Sequence, residues 1–402
     1  MAGKTDKNES YSRKKSRARA WWDLCPARHL ILILAAALTG LYFVLRLLES
    51  TDSPRLSFMN GPARAALVFA CDHIARPWQT LASRICGFVP FSVWELFIIA
   101  VLGALALYLV ISLILLIFCA GRPQRLYRLI MTFLSVFMLI FCLICWLWGS
   151  YYVTSDFTAM TGISPVKSTP EQLQTVCMYF ADMANDLADD VPRDADGLFR
   201  EDEDMIFGPS ADLYLPTEAA WPALSGPSLA AKPVCFSRVL SVLGYTGGFS
   251  PLTGEANVNT DFPQALLPVT IAHELAHQRG VAAEDEANFT AVLACMNGGN
   301  AQYRYSAAVF AYIHLGNALY DADRDLWREC YDTLSEPVRA DLDADNAYWD
   351  SFDSPAEQAV EEASTRTYDS FLRSQGETSG MDSYGECVDL LVAYYLDAAS
   401  AG

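Results

Sequence analysis

Three long apolar runs dominate the first 150 residues of the chain. They cover residues 30–48, 94–119 and 129–148 and carry almost no charge. Each approaches the roughly 20 residues that an α-helix needs to cross the hydrocarbon core of a bilayer. The pattern therefore predicts three transmembrane helices in a membrane domain of residues 29–152. Buried helices of a soluble protein are the alternative, and three such runs in 150 residues disfavour it. A cleaved signal peptide would have a shorter apolar run than the first one, followed by a small-residue cleavage site.

Basic residues near the apolar runs predict how the chain is oriented. The tail, residues 1–28, is strongly basic, and the short loop "GRPQRLYR" between the second and third runs holds three arginines. Positively charged loops stay in the cytoplasm, so three spans place the C-terminal domain, residues 155–402, outside it. The loop 49–92 also holds four arginines. Its middle part is amphipathic, which favours a helix on the membrane surface; a hairpin that crossed the membrane there would reverse the topology.

The C-terminal domain differs from the membrane domain in charge and in periodicity. Residues 151–402 hold 12 Lys and Arg against 40 Asp and Glu, a net charge of −28, whereas residues 1–150 hold 16 against 7, or +9. Such an acidic domain repels phosphates, so nucleic acid is excluded as a partner. Apolar positions at helical spacing, with Thr169 as an N-cap before Pro170, predict a mainly α domain. The segment "GFSPLTGEANVN" lacks this period and predicts a short strand or hairpin. The eleven cysteines show no metal-binding or disulfide framework, although Cys71 and Cys86 could pair outside the cytoplasm.

The chemistry of the domain is concentrated in "HELAHQRGVAAEDEANF", residues 273–289. Pro268 and Gly280 are typical of a helix start and a helix end, so His273 and His277 share one helix face, one turn apart. This is the arrangement of two imidazole ligands of a single zinc ion, and Glu274 between them is placed to act as the general base. A polar surface helix is the alternative interpretation.

A catalytic zinc needs a third protein ligand, for which the acids after Gly280 compete. Glu284 and Glu286 lie about 200° apart on a helix, so only one can face the metal. Glu284 has Asn288 one turn further on, a group able to orient a ligand, and is the favoured third ligand. Glu286 remains the alternative.

The same segments resemble a known family. The motif, the upstream "GFSPLTGEANVN" and the downstream "TYDSFLRSQGETSGMDSYGECVDLLVAYY" are similar to the bacterial membrane-protein family named domain of unknown function 3810. That resemblance implies three N-terminal spans and no substrate. H-E-x-x-H followed by E-x-E-A-N also resembles the gluzincin metallopeptidases, which implies that the first glutamate of the second motif, Glu284, is the ligand. The spacer from His277 to Glu284 is far shorter than in thermolysin-like enzymes, and its Gly280 turn resembles the metzincin arrangement.

Other polar residues are candidates for contacts to the substrate or the transition state. In zincins the strand before the zinc helix runs beside the substrate, so Glu255, Asn257 and Asn259 are candidates, with a loop held by its own Asn turns as the alternative. Tyr305, Tyr312 and His314 could supply an oxyanion donor opposite the metal, although a structural role is the favoured interpretation for each of them.

The sequence as a whole predicts a mainly α protein in which three N-terminal transmembrane helices precede a mostly helical, zincin-like metallopeptidase domain. The expected activity is zinc-dependent hydrolysis of protein or peptide substrates by an activated water. A non-catalytic, zinc-stabilised envelope sensor or scaffold is the alternative. Proteolysis inside the membrane is disfavoured, because the motif lies about 120 residues beyond the last apolar run.

Overall fold

The computed structural model describes residues 21–50, 56–154, 157–375 and 387–401, so most of the predicted basic tail lies outside the described residues. The described chain is mainly helical and divides into two compact units. Unit 1 comprises residues 1–70 and 96–148, and unit 2 comprises residues 71–95 and 149–402. The segment 71–95 therefore belongs with the C-terminal unit, whereas the sequence analysis had assigned it to the membrane domain. The reason is that segment 71–95 packs against residues of the C-terminal unit, and hydropathy along the chain does not report such contacts.

Three helices of the N-terminal part cover the three apolar runs. Each of them is long and apolar enough to cross a membrane. In chain order the helices are α1 (Pro26–Glu49), α2 (Asn60–Ala70), α3 (Arg76–Cys86), α4 (Val93–Phe118) and α5 (Arg122–Ile144). A wide π-turn at Cys71–Ala75 precedes α3, and another at Cys145–Gly149 leads from α5 to the short helix Tyr151–Thr154.

The arginine-rich segment before the third apolar run is helical, so its prediction as a loop was wrong. Gly121 has φ of 81°, and α5 begins directly after it with Pro123 in the first turn. Proline is favoured there because the first helical N–H groups have no intrahelical acceptor. The loop between α4 and α5 is therefore only a few residues long. Within unit 1, α5 packs along α1, where the fully buried Tyr42 ring lies 5.6 Å from that of Trp146.

Unit 2 is built from helices around a small sheet. Its first long helix, α6 (Pro170–Ala188), begins with the predicted cap. Thr169 Oγ1 accepts a hydrogen bond from the Gln172 N–H at 3.3 Å, and Gln172 Oε1 accepts one from the Thr169 N–H at 3.0 Å. This capping box satisfies two N–H groups that the helix cannot. The later helices are α7 (Leu267–Gln278), α8 (Glu284–Gly298), α9 (Ala301–Ala322), α10 (Arg324–Thr333), α11 (Glu336–Asp350), α12 (Pro355–Ser374) and α13 (Cys387–Ala401). Shorter helices lie at Phe157–Thr161, Glu203–Phe207, Leu215–Ala220 and Ser237–Val242.

The short strand or hairpin predicted before the H-E-x-x-H helix is a hairpin in the structure. Strands β2 (Gly247–Ser250) and β3 (Glu255–Val258) pair antiparallel, and β1 (Lys232–Pro233) pairs parallel with β3. The strand order β1-β3-β2 puts β3 in the centre and β2 at an edge. All four residues of β3 are buried. Because β2 and β3 both pack against α7, the edge strand lies beside the helix that carries H-E-x-x-H.

The core of unit 2 packs around α7 and α8, the two helices that carry the H-E-x-x-H motif and Glu284. Helix α9 packs along α6, and α8 packs against α7, α9 and α13. Large side chains such as Phe180, Phe289 and Tyr303 are completely buried between them. Burial of one such side chain contributes roughly 1.5–3 kcal/mol. The polar residues of α7 and α8 are thus carried by helices whose other faces are fixed in the core. All eleven cysteines are free thiols, including Cys71 and Cys86.

Candidate metal centre

Helix α7 presents its two histidines on one face, as their spacing requires. Pro268 lies in its first turn, and the helix ends before Gly280, whose φ is 90°. Such a φ is readily adopted by glycine because it has no Cβ. The rings of His273 and His277 lie 4.6 Å apart between centroids. The turn at Gly280 then reverses the chain and lets α8 begin at Glu284, next to the histidines.

The three predicted ligands converge on a single point. Glu284 Oε2 lies 3.2 Å from His273 Nε2 and 3.3 Å from His277 Nε2. All three ligand atoms lie within 4.8 Å of one another. Zinc–nitrogen and zinc–oxygen bonds of about 2.0–2.1 Å in a tetrahedral site separate neighbouring ligand atoms by about 3.3 Å. The observed spacing therefore fits a shared metal ion.

The hydrogen bonding of the cluster also fits a cation. His277 Nδ1 lies 2.7 Å from the Val281 carbonyl oxygen, which can only accept, so Nδ1 carries the proton. In the neutral ring Nε2 then bears the lone pair that points at Glu284. Glu284 Oε2 is buried and makes no hydrogen bond among the described residues. Lone pairs that converge in a buried site repel one another unless a cation or a proton lies between them.

Without a metal, a proton takes that place. Burial alone would lower the pKa of His277, but the adjacent Glu284 carboxylate outweighs it and raises the pKa to about 9. Burial would likewise raise the pKa of Glu284, but the two histidines hold it well below its usual range. The cluster is therefore a negatively charged carboxylate with two imidazoles that attract one positive charge, which a divalent ion can supply.

Glu274 lies beside this cluster with the properties of a general base. Its side chain is buried, and Oε2 has no hydrogen-bond partner among the described residues. Burial raises the pKa of Glu274 to about 7, against the opposing effect of His273 and His277. A carboxylate whose pKa lies near neutrality can both take up and release a proton at physiological pH.

The edge strand leaves almost no space above Glu274. A Cβ atom added at Gly247 would lie 2.6 Å from Glu274 Oε1 and 2.9 Å from its Cγ. At the next residue, Gly248, an added Cβ would meet nothing within 4 Å. Gly247 thus permits β2 to approach the glutamate closely, and it fixes where that carboxylate can lie.

Gly247→Ala is accordingly expected to displace the Glu274 carboxylate and, in the hydrolysis that the sequence predicts, to lower the rate by about 10- to 100-fold, since small displacements of reacting groups are costly. Gly248→Ala, a matched change on the same strand, should stay near wild type. Both proteins should keep the metal, because neither position supplies a ligand. Turnover of a cleavable peptide and elemental analysis measure the two effects, and equal turnover in the two variants would contradict this role of Gly247.

Tyr368 belongs to the site and was missed by the sequence analysis. It lies on α12, and its hydroxyl donates a hydrogen bond to Glu284 Oε1 at 2.5 Å. Its ring packs edge-on against Tyr245, 6.1 Å away between centroids. The bond fixes the carboxylate so that Oε2 faces the histidines, which is how an outer hydrogen bond orients a metal ligand. Residue 368 lies 84 positions after Glu284 and no spacing rule links them.

The two residues of α8 that the sequence singled out beside Glu284, Asn288 and Glu286, differ in burial. Asn288 is buried one turn after Glu284. Glu286 is partly buried and is not a member of the three-residue cluster. His314, on α9, lies near enough to His273 to be affected by it, since burial and that histidine lower the pKa of His314 to about 4. His314 is thus neutral at physiological pH and lies in the neighbourhood of the cluster.

The two tyrosines that were predicted on α9 lie elsewhere. The Tyr305 hydroxyl donates to Asp341 and accepts from Arg193 at 3.1 Å, so it belongs to a buried ion-pair network. Tyr312 is buried, and Cys177 and Cys330 are among its neighbours. The structure brings neither tyrosine to the metal cluster. Both face the core because they share one side of α9, whereas His314 lies on the other.

The polar residues in the central strand β3 and directly after it are engaged in structural hydrogen bonds. Asn257 accepts from Ser92 Oγ at 2.7 Å, and Asn259 donates to Ser241 Oγ at 2.9 Å. Both are completely buried. Glu255 forms a buried ion pair with Lys232 at 2.6 Å. Among the described residues, β2 is the edge of the sheet beside α7, whereas the polar side chains at β3 are engaged within the protein.

These features define the class of the protein: a mainly helical protein with apolar helices long enough to span a membrane and a largely buried His-His-Glu cluster. A family model described as "protein of unknown function (DUF3810)" matches residues 72–392, and the chain belongs to that family. The match includes α4 and α5 but begins after α1, so it does not extend over the first apolar helix as the resemblance had implied. No curated protein and no solved structure matches the chain.

Proposed function

We propose that the protein is a membrane-anchored zinc metallopeptidase. The observation that carries the proposal is the convergence of His273 Nε2, His277 Nε2 and Glu284 Oε2 beside the buried carboxylate of Glu274. Three protein ligands with a fourth position left for water are typical of catalytic zinc, whereas structural zinc is closed by four protein ligands.

The residues of the chain have separate tasks in this proposal. Zinc, when bound, would polarise the substrate carbonyl and make water nucleophilic near neutral pH. Glu274 would take a proton from the attacking water at its buried carboxylate and pass it to the leaving amine. Tyr368 and the Val281 carbonyl would hold Glu284 and His277 in orientation. His314, neutral and nearby, is a candidate to donate a hydrogen bond to the developing oxyanion.

A peptide substrate fits the strand next to the site. Strand β2 is an edge of the sheet, and Gly247 on it approaches Glu274 closely. An extended peptide can add to such an edge through backbone hydrogen bonds, largely regardless of its sequence. A scissile bond aligned in this way would lie beside the general base.

The test of this function is a search for cleavage products. Membranes from cells with the wild-type protein should contain new protein N-termini that are absent from cells with His277→Ala protein. Quantitative mass spectrometry of protein N-termini measures the difference. Indistinguishable sets of N-termini, with both proteins present at equal levels, would refute peptidase activity under those conditions and favour a scaffold role.

We further propose that unit 2 lies outside the cytoplasm. The basic residues of the tail before α1 and the three arginines in the first turns of α5 support this orientation through the positive-inside rule. A reporter enzyme that is active only outside the cytoplasm, fused after Gly402, should be active. Activity from a cytoplasm-specific reporter at the same position, and none from the first, would reverse the assignment.

A further inference from the structure

We propose that unit 2 carries a lipid-contacting face, built on α3, which rests in the interface of the bilayer that α4 enters. This face would hold the candidate metal centre close to the membrane surface. The substrates would then be polypeptide segments that emerge from the bilayer or lie along it. The surface stands on the structure alone, whereas the substrate class rests on the proposed peptidase function.

The first observation is an apolar stripe on the exposed side of α3. Trp78, Leu81 and Ile85 fall within about 60° of one another around the helix, and all three are exposed. Ile74 and Phe88 extend the stripe at its two ends, and Phe88 is 87% exposed. Apolar residues at this spacing normally face a core or a membrane. The Trp78 indole donates its N–H to the Leu252 carbonyl at 3.1 Å, which leaves an apolar ring at the surface, as is favoured at lipid interfaces.

The stripe leads directly to the start of a membrane-spanning helix. Phe88 precedes the first residue of α4, Val93, by only five positions. Phe91, between them, is also exposed. A helix that lies flat at the bilayer surface and turns into a transmembrane helix needs only such a short connection. This continuity identifies lipid, rather than another protein, as the occupant of the face.

A third segment brings further apolar side chains to the same place. The Glu95 carboxylate, in the first turn of α4, accepts hydrogen bonds from the backbone N–H groups of Cys235 and Phe236, at 3.0 and 2.7 Å. Phe236 and, one turn later, Val239 are exposed. They are therefore tied to the point where α4 begins.

Exposed apolar residues are concentrated in this part of unit 2. Among its described residues, fourteen large hydrophobic side chains are exposed, and eight of them belong to the face. These are Ile74, Trp78, Leu81, Ile85, Phe88, Phe91, Phe236 and Val239. The exposed Arg84 lies at the edge of the stripe, where a guanidinium group can meet lipid phosphate. An apolar patch of this kind on a water-facing surface would favour aggregation.

The opposite side of α3 is packed against the region of the metal centre. A Cβ at Gly254, in the turn between β2 and β3, would lie 2.5 Å from the Gln79 carbonyl oxygen, so the turn is in close contact with the back of α3. Gln278, next to His277 on α7, donates to the Gly254 carbonyl oxygen at 2.7 Å. Contacts from α3 through the turn to α7 thus connect the proposed lipid face to the helix that carries the two histidines.

The surface can be tested by spin labelling of the full-length protein in vesicles of phosphatidylcholine and phosphatidylglycerol. Leu81→Cys is labelled with a nitroxide in a Cys235→Ser background, because Cys235 is the exposed native cysteine. Collisions with oxygen, which partitions into lipid, are compared with collisions with a water-soluble nickel chelate. The label at position 81 should show a severalfold higher ratio of oxygen to nickel collisions than a label at Val360→Cys, an exposed apolar position on α12 outside the face.

Each other outcome overturns the lipid face. Equal collision ratios at positions 81 and 360 would mean that the stripe faces water. Shielding of position 81 from both reagents would indicate a protein partner, and spin–spin broadening would indicate a second copy of the chain. The measurement does not need activity, and the Glu274→Gln protein should give the same ratios.

The substrate class has a separate readout. Wild-type protein should cleave a membrane-anchored reporter whose target segment lies a few residues from the bilayer better than one on a long stalk. Leu81→Glu combined with Ile85→Glu should abolish that preference. Failure to cleave either reporter would count against the peptidase function while the spin-label result stood. Cleavage that favours the long stalk would refute the proximity of the site to the membrane.

Discussion

Replacing Glu274 with glutamine is expected to lower peptide hydrolysis by at least about 10²-fold, the low end for a positioned acid–base group. Glutamine keeps the size and most of the hydrogen bonding of the side chain but lacks the basic oxygen. Glu274 supplies no ligand atom to the three-residue cluster, so zinc content and thermal unfolding should stay near those of wild type. The loss would therefore report proton transfer and not loss of the site.

The shorter carboxylate of Glu274→Asp provides the matched control. It keeps the basic oxygen but withdraws it by one methylene, so hydrolysis should lie between that of wild type and that of Glu274→Gln. Initial rates on a peptide identified from the cleavage products measure the series, with metal content determined on the same samples. Full activity in Glu274→Gln protein would rule out this glutamate as the base. Full complementation of a gene deletion by that protein would favour the sensor or scaffold.

The sequence was sufficient for the parts of the site that depend on local spacing. His273 and His277 are four residues apart on a helix, and Glu284 follows after a turn that Gly280 permits, so helix geometry alone brings them together. The capped start of α6 and the β2–β3 hairpin follow from equally local rules. The three apolar helices were predictable because the bilayer requires length and composition and not particular partners.

The remaining features depend on which elements pack together, and no local pattern carries that information. Tyr368 reaches Glu284 only because α12 folds back across the motif. Gly247 is important because a Cβ atom at this position would lie only 2.6 Å from Glu274. That contact joins a strand to a separate helix. Tyr305 has the residue type expected of an oxyanion donor, but Asp341 and Arg193, distant in sequence, engage its hydroxyl. The position of segment 71–95 was equally unpredictable, since its assignment to unit 2 follows from contacts and not from hydropathy.

The third ligand is where sequence reasoning left two residues open, and a matched pair of variants distinguishes them. Glu284→Gln removes the negative charge that attracts the metal and replaces one oxygen of the carboxylate, whose Oε2 lies 3.2 and 3.3 Å from the two imidazoles, by an amide NH2 group that cannot bind a metal ion. We expect zinc affinity to fall by more than the roughly 10- to 100-fold that loss of an outer hydrogen bond costs, and activity to be lost with the metal. Glu286→Gln makes the same chemical change two residues further along α8 and should leave both properties near wild type.

Competition with a chelator, followed by elemental analysis, measures the affinity of both variants and of His273→Ala and His277→Ala. The two histidine variants should release zinc as Glu284→Gln does, because each histidine supplies one of the three converging atoms.

Tyr368→Phe gives the intermediate case. It removes the 2.5 Å hydrogen bond to Glu284 Oε1 but no ligand, so its zinc affinity should fall only within the 10- to 100-fold range that is typical of outer partners. Loss of zinc in Glu286→Gln with retention in Glu284→Gln would reverse the assignment. Retention in every variant would show that the metal, if any, binds elsewhere. The expected order, with the ligand variants weakest, Tyr368→Phe between, and Glu286→Gln at wild-type affinity, follows from which atoms touch the shared point and which only hold those atoms in place.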